Sequence, residues 1–522
     1  MAISIDISRK FPIGIQSFKS LRECNYLYVD KTALVYKLVN SGCSYLLSRP
    51  QLFGKSLLIS TVEAYFKGQK ELFKGLAIEQ LEKNWIVYPV LHIDFNAEKF
   101  DAPEQLDALL SNQLTQWEEI YGKGEDETTL SLRFKGVIRR AAEQTGHPAV
   151  VLVDEYDKPL LQSLHKEALH SAYKDTLKAF YGVLKSADQY LRFYLLTGVT
   201  KFSQVSVFSD LNQLNDISMD KRYNEICGLT WQEIADNFEP ELKELAEDND
   251  LTPEETRETM TRLYDGYHFM FGQEGIFNPF SVLNVLDRSQ FDNYWFKTGT
   301  PTFLVELLKK TDYDLRDIDG VQMAVDGFAD YRADVQRPIP VIYQSGYLTI
   351  KGFDPRFRLY TLGFPNEEVK YGFLNFIVPF YTAIPSTESS FYIGKFVREL
   401  ESGDVDAFME RLRTFFADIP YELNDKTERH YQAVFYLVFK LMGQFTEAEV
   451  RSARGRADAV VKTRDYIYVF EFKLDGTVEE ALRQIDDKGY LIPYQVDGRQ
   501  LIKVGANFSA EERNIGNWMN VK

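Results

Sequence analysis

The stretch SRPQLFGKSLL, residues 48–58, separates a short apolar segment from a run whose apolar residues recur at helical spacing. A strand, a loop and a helix in this order place backbone N–H groups where they can bind a phosphate. Gly54, Lys55 and Ser56 supply the turn, a positive charge and a hydroxyl that can hold Mg²⁺. Arg49 occupies the place of the first glycine in the usual pattern G-x-x-x-x-G-K-[ST]. The stretch predicts a phosphate-binding loop of unusual form.

A second motif, VVLVDEYDKP at residues 150–159, contains four aliphatic residues that end in Asp154 and Glu155. An aspartate in this place can hold Mg²⁺ directly or through water, and the following glutamate can polarise an attacking water. The alternative is a polar helix start and a strand that ends in acids for solubility. The two motifs occur in the expected order on the expected elements, which favours ATP binding and hydrolysis.

A third strand, LLTGVTKFS at residues 195–203, ends in side chains that could sense the γ-phosphate of ATP. They are Thr197, Thr200, Lys201 and Ser203. Threonine-rich strand ends are common, so a purely structural role is an equally good interpretation. Arg192 and Arg222 are available as arginine fingers, and the sequence gives no reason to choose between them.

Further strands are expected at residues 87–95, 149–157 and 191–199, separated by helical stretches at 103–120 and 166–186. Strands that alternate with helices predict a parallel α/β sheet whose binding site lies at the carboxyl edge.

A second charged cluster lies in GRADAVVKTRDYIYVFEFKLDGTVEEALRQIDDKGY, residues 455–490. Asp458 begins one predicted strand, and Glu471 and Lys473 end the next on the same face of that strand. Two carboxylates can hold Mg²⁺ or Mn²⁺, and a lysine beside them can orient or activate water for attack on a phosphodiester. Gln484 follows on a helix.

Glu428, on the preceding helix, is a further acid that could reach this metal. An exposed Glu–Lys pair that contributes little to stability is an alternative of similar weight on spacing alone. The flanking residues Val469, Phe470 and Phe472 argue against it, because charges on a buried strand usually need a functional partner.

Many stretches of the chain resemble the bacterial AAA-ATPase-like family, whose members typically carry a C-terminal PD-(D/E)XK nuclease superfamily domain. They include FPIGIQSFKSLRECNYLYVDKTALVYKLV, YLLSRPQLFGKSLLISTVEAYF, VLVDEYDKPL, LTGVTKFSQVSVFSDLNQLNDIS, ICGLT, YDGYHF, NPFSVLN, YWFKTGTPTFL, QSGYLTI and GFPNEEV. The family loop usually reads S-R-P-R-R-F-G-K-S, so Arg49 and Pro50 are its own form. Gln51 and Leu52 replace two arginines, which removes positive charge beside the phosphates.

The resemblance implies two sites and their cofactors, ATP with Mg²⁺ in the first and Mg²⁺ or Mn²⁺ in the second. The implied ATP site consists of Arg49, Pro50, Phe53, Gly54, Lys55, Ser56, Leu57, Asp154 and Thr200, with Mg²⁺ on Ser56 and Asp154 and with Glu155 as the catalytic base. The implied nuclease site consists of Asp458, Glu471, Lys473 and Gln484, with the metal on Asp458, Glu471 and Glu428. The expected partners are a nucleotide and DNA or RNA, and a homo-oligomer is compatible with the sequence.

The fold class expected for the 522 residues is α/β, in three domains. Residues 1–227 are predicted to form a P-loop ATPase domain with a parallel sheet. Residues 228–370 are predicted to form a helical and winged-helix-like connector with a hairpin at 344–369. Residues 371–522 are predicted to form a helical bridge and a PD-(D/E)XK nuclease-like α/β domain.

The net charge of −17 argues against nucleic-acid binding along the whole chain. The charge is uneven, because residues 425–522 hold 15 basic and 15 acidic side chains, so a local nucleic-acid groove is permitted there. No apolar run approaches the roughly 18 residues that span a bilayer, and the start lacks a signal-peptide apolar segment, so we expect no membrane partner and a cytoplasmic location. The cysteines Cys24, Cys43 and Cys227 are scattered and indicate neither a disulfide framework nor a zinc site.

Three functions are compatible with these patterns. The first is an ATPase coupled to a metal-dependent nuclease. The second is a nucleotide-dependent switch or partner-binding protein whose nuclease-like domain cleaves nothing, and the third is structural ATP binding without turnover. The complete acid–acid–lysine set favours the first.

Overall fold

The protein is described from a computed structural model. The structure describes residues 10–164, 166–200, 213–298, 304, 307–308, 311, 313–328, 338–382, 384–385, 388–417, 428–450, 457–509, 511–512 and 514–522. The chain forms two compact units. The first contains Met1–Thr298 and Gln322–Glu368, and the second contains Gly299–Val321 and Val369–Lys522. The chain therefore passes between the units at three points.

The first unit holds two sheets and a set of helices. Its strands are β1 (Ser44–Ser48), β2 (Val90–Asp94), β3 (Ala149–Asp154), β4 (Leu191–Gly198), β5 (Asn215–Asp216), β6 (Gln322–Ala324), β7 (Thr349–Asp354) and β8 (Leu359–Gly363). Its α-helices are α1 (Phe18–Glu23), α2 (Thr32–Ser41), α3 (Lys55–Phe66), α4 (Ala77–Leu81), α5 (Pro103–Tyr121), α6 (Leu130–Thr145), α7 (Lys158–Gln162), α8 (Glu167–Ser186), α9 (Trp231–Asn237), α10 (Glu239–Asp248), α11 (Pro253–Tyr264), α12 (Pro279–Arg288) and α13 (Ile339–Gln344).

The larger sheet of this unit is parallel, with strand order β2-β3-β4-β1-β5. Every residue of β1 and β3 is buried, which is why these strands read as continuous apolar runs. Strand β4 lies between β1 and β3, and its Thr197 is paired in register with Leu47. The carboxyl ends of the three strands therefore meet at one edge, which confirms the predicted parallel α/β sheet.

The helices after residue 228 pack around their own apolar core. Its buried members include Leu229, Ile234, Phe238, Leu245, Met260, Tyr264, Phe277, Val282, Val285, Leu286 and Tyr294. The smaller sheet is antiparallel, with strand order β6-β8-β7, and contains the predicted hairpin. The boundaries predicted at residues 227 and 370, and the winged-helix-like character of the connector, stay predictions.

The second unit is α/β as well. Helix α14 (Glu367–Tyr381) begins at the end of the first unit, and the remaining helices are α15 (Ser389–Glu401), α16 (Val405–Ala417), α17 (Glu428–Met442) and α18 (Val478–Asp487). The strands are β9 (Glu447–Val450), β10 (Ala459–Lys462), β11 (Tyr466–Leu474), β12 (Gln500–Ser509) and β13 (Asn514–Val521), in the order β13-β12-β11-β10-β9. Among the described strand pairs of this second sheet, only β11 and β12 are parallel. Helix α18 follows β11 and packs on this pair, burying Val478, Ala481, Leu482 and Ile485 at helical spacing.

Candidate functional site

Two residues with left-handed backbone shape the loop that follows β1. Leu52 has a φ of 64° and Gly54 a φ of 91°. A Cβ on Gly54 would meet no atom within 4 Å, so the positive φ itself is what favours glycine. Leu52 has no such freedom, and its conformation costs energy that neighbouring contacts must offset. Helix α3 begins directly after Gly54, so the free N–H groups of its first turn lie at the loop.

The ammonium group of Lys55 is buried within the loop. Its Nζ donates to the carbonyl oxygens of Arg49 at 3.1 Å and Pro50 at 3.2 Å, and it lies 3.1 Å from Oε1 of Glu155. Burial lowers the pKa of Lys55, but Glu155 and Asp154 outweigh it and leave that pKa raised. Lys55 is therefore a fixed positive charge at the N-terminus of α3, where an anion is favoured.

The acids at the end of β3 occupy different environments. Asp154 is buried and accepts a hydrogen bond from the Thr197 hydroxyl at 2.7 Å. Glu155 has a φ of 53°, which turns the chain sharply after the strand. Burial raises the pKa of Glu155 to about 7, although the neighbouring Lys55 opposes this change. A carboxyl that titrates near neutral pH is suited to exchange a proton with water.

Asp157 holds the end of β4 in place. Its Oδ2 accepts from the backbone N–H of Val199 at 3.1 Å, from that of Thr200 at 2.6 Å and from the Thr200 hydroxyl at 2.5 Å. The Tyr156 hydroxyl donates to the Thr200 carbonyl at 2.6 Å. The predicted sensor residue Thr200 is thus bound to Asp157, whereas Thr197 is the threonine beside Asp154. Lys201 and Ser203 lie outside the described residues.

The side chain of Arg49 is buried and hydrogen-bonded to backbone carbonyls. It is 1% exposed, and its guanidinium donates to the carbonyl oxygens of Ser48, Ser218 and Tyr223 at 3.0, 2.8 and 3.2 Å. The same group lies 3.9 Å from the centroid of the Phe269 ring. Its predicted contact with the nucleotide therefore requires it to exchange carbonyl partners, and that contact stays a prediction.

An apolar cavity of about 110 Å³ adjoins the loop. Phe53, Gly54 and Leu57 line it from the loop and α3, and other walls come from the N-terminal segment and the residues after Ile226. Of the remaining predicted residues, Pro50 lies beside Gly346, and Ser56 lies in the first turn of α3. The loop, the first turn of α3 and an apolar cavity are thus adjacent.

The second cluster lies at the end of β11 and joins three of the predicted residues directly. Lys473 Nζ donates to Glu471 Oε1 at 3.0 Å and to Gln484 Oε1 at 2.6 Å. The Gln484 amide also donates to Glu471 Oε1. Asp458 lies across the strands, where its Oδ2 accepts from the Phe472 N–H at 2.8 Å. The predicted group Asp458, Glu471, Lys473 and Gln484 therefore comes together in the structure.

Glu471 is 2% exposed, so the alternative of an exposed surface pair is wrong. Its Oε2 is buried and has no hydrogen-bond partner within the part of the chain that the structure describes. Burial and the charge of Asp458 raise the pKa of Glu471 to about 7, against the effect of Lys473. A buried carboxylate oxygen without a donor is costly unless something cationic binds it, so this residue fits a divalent metal.

The described residues do not supply a third ligand. Among them, no group of three or more His, Cys, Asp or Glu side chains is arranged to hold a metal ion. Mg²⁺ commonly uses one or two carboxylates and fills its other positions with water and substrate phosphate. Glu428 begins helix α17, but its side chain lies outside the described residues, so its role as a ligand stays a prediction.

Comparisons with known proteins address both parts of the chain. A family model described as a predicted AAA-ATPase matches residues 12–208, and one described as the PD-(D/E)XK nuclease superfamily matches residues 426–518. An uncharacterized protein in the vnfD 5' region of Azotobacter chroococcum mcd 1 is 35% identical over 522 aligned positions, and the alignment covers 97% of this chain and 98% of that protein. The chain belongs to the AAA-ATPase-like family with a PD-(D/E)XK nuclease superfamily domain.

The two matched ranges of this AAA-ATPase-like protein contain the two clusters described above. Domains of these classes generally use a nucleotide and a divalent metal ion. None of the helices in the described ranges combines the length and apolar character needed to cross a bilayer.

Sequence reasoning missed two residues of these sites. Asp157 lies three positions after Asp154 in the motif already noted, and only the fold shows that its carboxylate binds the end of β4. Tyr490 lies beyond α18, and its hydroxyl is 3.4 Å from the Gln484 amide nitrogen. A third acid within four residues of a strand end was the available signal for Asp157, whereas nothing in the sequence indicated Tyr490.

Proposed function

We propose that the protein is an ATP-binding and ATP-hydrolysing P-loop ATPase coupled to a metal-dependent nuclease that acts on DNA or RNA. The observation that carries the nuclease assignment is the buried Glu471, which is bonded to Lys473 and Gln484 and keeps one carboxylate oxygen without a partner among the described residues. A binding surface gains nothing from such an arrangement, because it costs desolvation energy.

In the first site, the triphosphate of ATP would bind the N–H groups at the start of α3 and the ammonium of Lys55. The base would enter the apolar cavity lined by Phe53 and Leu57. Ser56 and Asp154 would hold Mg²⁺, which neutralises charge on the phosphates. Thr197 keeps the Asp154 carboxylate oriented through its hydrogen bond.

Hydrolysis in this site would use Glu155 to accept a proton from the attacking water. The carboxylate is now paired with Lys55, so binding of a phosphate by Lys55 frees Glu155 for this step. This exchange makes the base available only when nucleotide is present. Without nucleotide, the positive charge of Lys55 balances the negative charge of Glu155.

In the second site, Asp458 and Glu471 would hold Mg²⁺ or Mn²⁺, which offsets the negative charge that develops on the phosphodiester during attack. Lys473 lies on the same face of β11 and would orient or activate the attacking water. Gln484 fixes both side chains, since it bonds to Lys473 and to Glu471. The outcome is cleavage of a P–O bond with water as nucleophile.

A cleavage assay tests this proposal. The purified chain is incubated with supercoiled plasmid, single-stranded DNA or RNA, with Mg²⁺ or Mn²⁺, and with or without ATP. We expect cleavage of at least one substrate, its loss in Asp458→Ala and Lys473→Ala, and a change in rate with ATP.

Lys503→Ala is the matched control, because Lys503 lies on the adjacent strand β12 and pairs with Asp486 outside the cluster. Cleavage by Lys503→Ala at the parent rate, with none by Lys473→Ala, supports the assignment. Equal cleavage by the parent and Asp458→Ala would show a contaminating nuclease and contradict it.

A nucleotide-dependent switch is the second candidate. The pairing of Lys55 with Glu155 favours it, because a phosphate that replaces this contact changes the structure of the loop even without hydrolysis. The switch predicts that ATP changes oligomer size or partner binding while no substrate is cleaved with any metal. Sedimentation velocity with and without ATP, run beside the cleavage assay, separates the two functions.

A further inference from the structure

The phosphate-binding loop makes hydrogen bonds and ring contacts with residues that are distant in the sequence. The indole Nε1 of Trp295 donates to the carbonyl oxygen of Gln51 at 3.1 Å, across 244 positions of the chain. The carbonyl of Phe53 accepts from the Gly228 N–H at 3.1 Å, and the Phe53 ring packs edge-on against Tyr267 with centroids 4.8 Å apart. All of these residues belong to the first unit.

A buried carboxylate fixes Trp295 itself. The backbone N–H of Trp295 donates to Glu368 Oε1 at 2.7 Å, and the Ser281 hydroxyl donates to Oε2 at 2.8 Å. Glu368 is 1% exposed, and each of its carboxylate oxygens accepts one of these hydrogen bonds, as a buried carboxylate requires. The Trp295 ring also packs against Tyr347, with centroids 5.2 Å apart.

The bond to Trp295 determines which way one peptide of the loop points. The carbonyls of Arg49 and Pro50 point to Lys55 Nζ, whereas that of Gln51 points to the indole. In a trans peptide the C=O and the following N–H point in opposite directions. The N–H of Leu52 therefore points away from Trp295.

The side chain of Leu52 is apolar, so its N–H is the only donor that this residue can offer an anion. We propose that Trp295, fixed by Glu368, is a positioning residue that keeps the Leu52 N–H available to the phosphates of a nucleotide. This inference rests on the proposed nucleotide site and assigns a role to the motifs YWFKTG and NEEV, which neither catalytic site uses. The positive φ of Leu52 is then held in place by this bond.

The test compares nucleotide binding by the full chain and its variants. Trp295→Phe removes the donor but keeps an aromatic ring, and Trp231→Phe is the matched control at another tryptophan of the same unit. By calorimetry we expect ATP to bind Trp295→Phe about tenfold more weakly, as for the loss of one hydrogen bond, and Trp231→Phe at the parent affinity. Parent affinity in Trp295→Phe overturns the inference.

Pyrophosphate tests whether Trp295→Phe weakens binding of the phosphates themselves. Its displacement of a fluorescent ATP analogue should weaken in Trp295→Phe to the same extent as ATP binding, and a loss confined to ATP overturns the inference. Glu368→Gln should retain affinity, because the amide can still accept from Trp295, and Glu368→Ala should lose it. If Trp295→Phe does not fold, Trp295→His, which keeps a ring N–H, and the Glu368 pair decide the question. Failure of the parent chain to bind ATP would contradict the proposed nucleotide site instead.

Discussion

Replacement of Glu368 by Gln is expected to stabilise the first unit in a pH-dependent way. Burial raises the pKa of Glu368 from 4.5 to about 7, although the hydroxyl of Ser281 and the N–H of Trp295 act in the opposite direction. The folded protein therefore binds this proton more tightly than the unfolded chain does. The stability that the neutral acid provides is complete below pH 4.5 and is lost as the pH rises through about 7.

The magnitude follows from the same values. A rise of about 2.5 in pKa, at 1.36 kcal/mol for each unit, lowers the free energy of unfolding by ~3 kcal/mol once Glu368 is ionised. Glu368→Gln avoids this cost and keeps the size of the side chain. The Ser281 hydroxyl can rotate to accept from the amide, so both hydrogen bonds are retained.

Hydrogen exchange measured by mass spectrometry on peptides from residues 279–295 would detect the change. At pH 8 we expect opening in Glu368→Gln to be rarer than in the parent by up to about 100-fold, and at pH 5 the two should differ little. Glu367→Gln is the control, because Glu367 is partly exposed and pairs with Arg262. A difference between Glu368→Gln and the parent that is the same at pH 5 and pH 8 would refute the reasoning.

Three further outcomes are expected. Glu155→Gln should bind ATP but release phosphate at least about 100-fold more slowly. For the parent, kcat/KM for ATP should rise with pH through about 7, because this ratio reports the free enzyme, in which the Glu155 carboxylate forms near that pH. Phosphate release by Glu155→Gln at the parent rate would favour structural ATP binding. Thr197→Val should weaken Mg²⁺-dependent ATP binding several-fold, because Asp154 loses its 2.7 Å hydrogen bond, and titration of Mg²⁺ at fixed ATP checks this. Asp157→Ala should lower the free energy of unfolding by about 3 kcal/mol, because the buried N–H groups of Val199 and Thr200 lose their acceptor. Urea titrations measure this change, and a loss below about 1 kcal/mol would contradict that account.

The sequence predicts the parallel sheet well because the information is local. The aliphatic runs of β1, β3 and β4 are long enough to identify buried strands, and the loop between β1 and α3 has its own motif. Likewise, the alternation of Glu471 and Lys473 places both on one face of β11, and the family resemblance connects them with Asp458 and Gln484. These residues come together as expected.

The partners of individual side chains could not be predicted in the same way, since they depend on how distant segments pack. Arg49 resembles a phosphate ligand in the sequence, yet its guanidinium is bound to carbonyls from residues 48, 218 and 223. Trp295 lies in a segment with no recognisable chemistry until the fold brings its indole to Gln51. The burial of Glu471, which excludes an exposed Glu–Lys pair, also depends on how the elements of the second unit pack together.

The three passages of the chain between its two units, after Thr298, Val321 and Glu368, have a consequence for inheritance. A single recombination break anywhere in the gene would separate at least one unit from part of itself, since residues 299–321 belong with the C-terminal half and residues 322–368 with the N-terminal half. One crossover therefore cannot exchange either unit whole for an unrelated module. A laboratory fragment that ends at residue 298 would likewise lack Glu368 and the small sheet of the first unit.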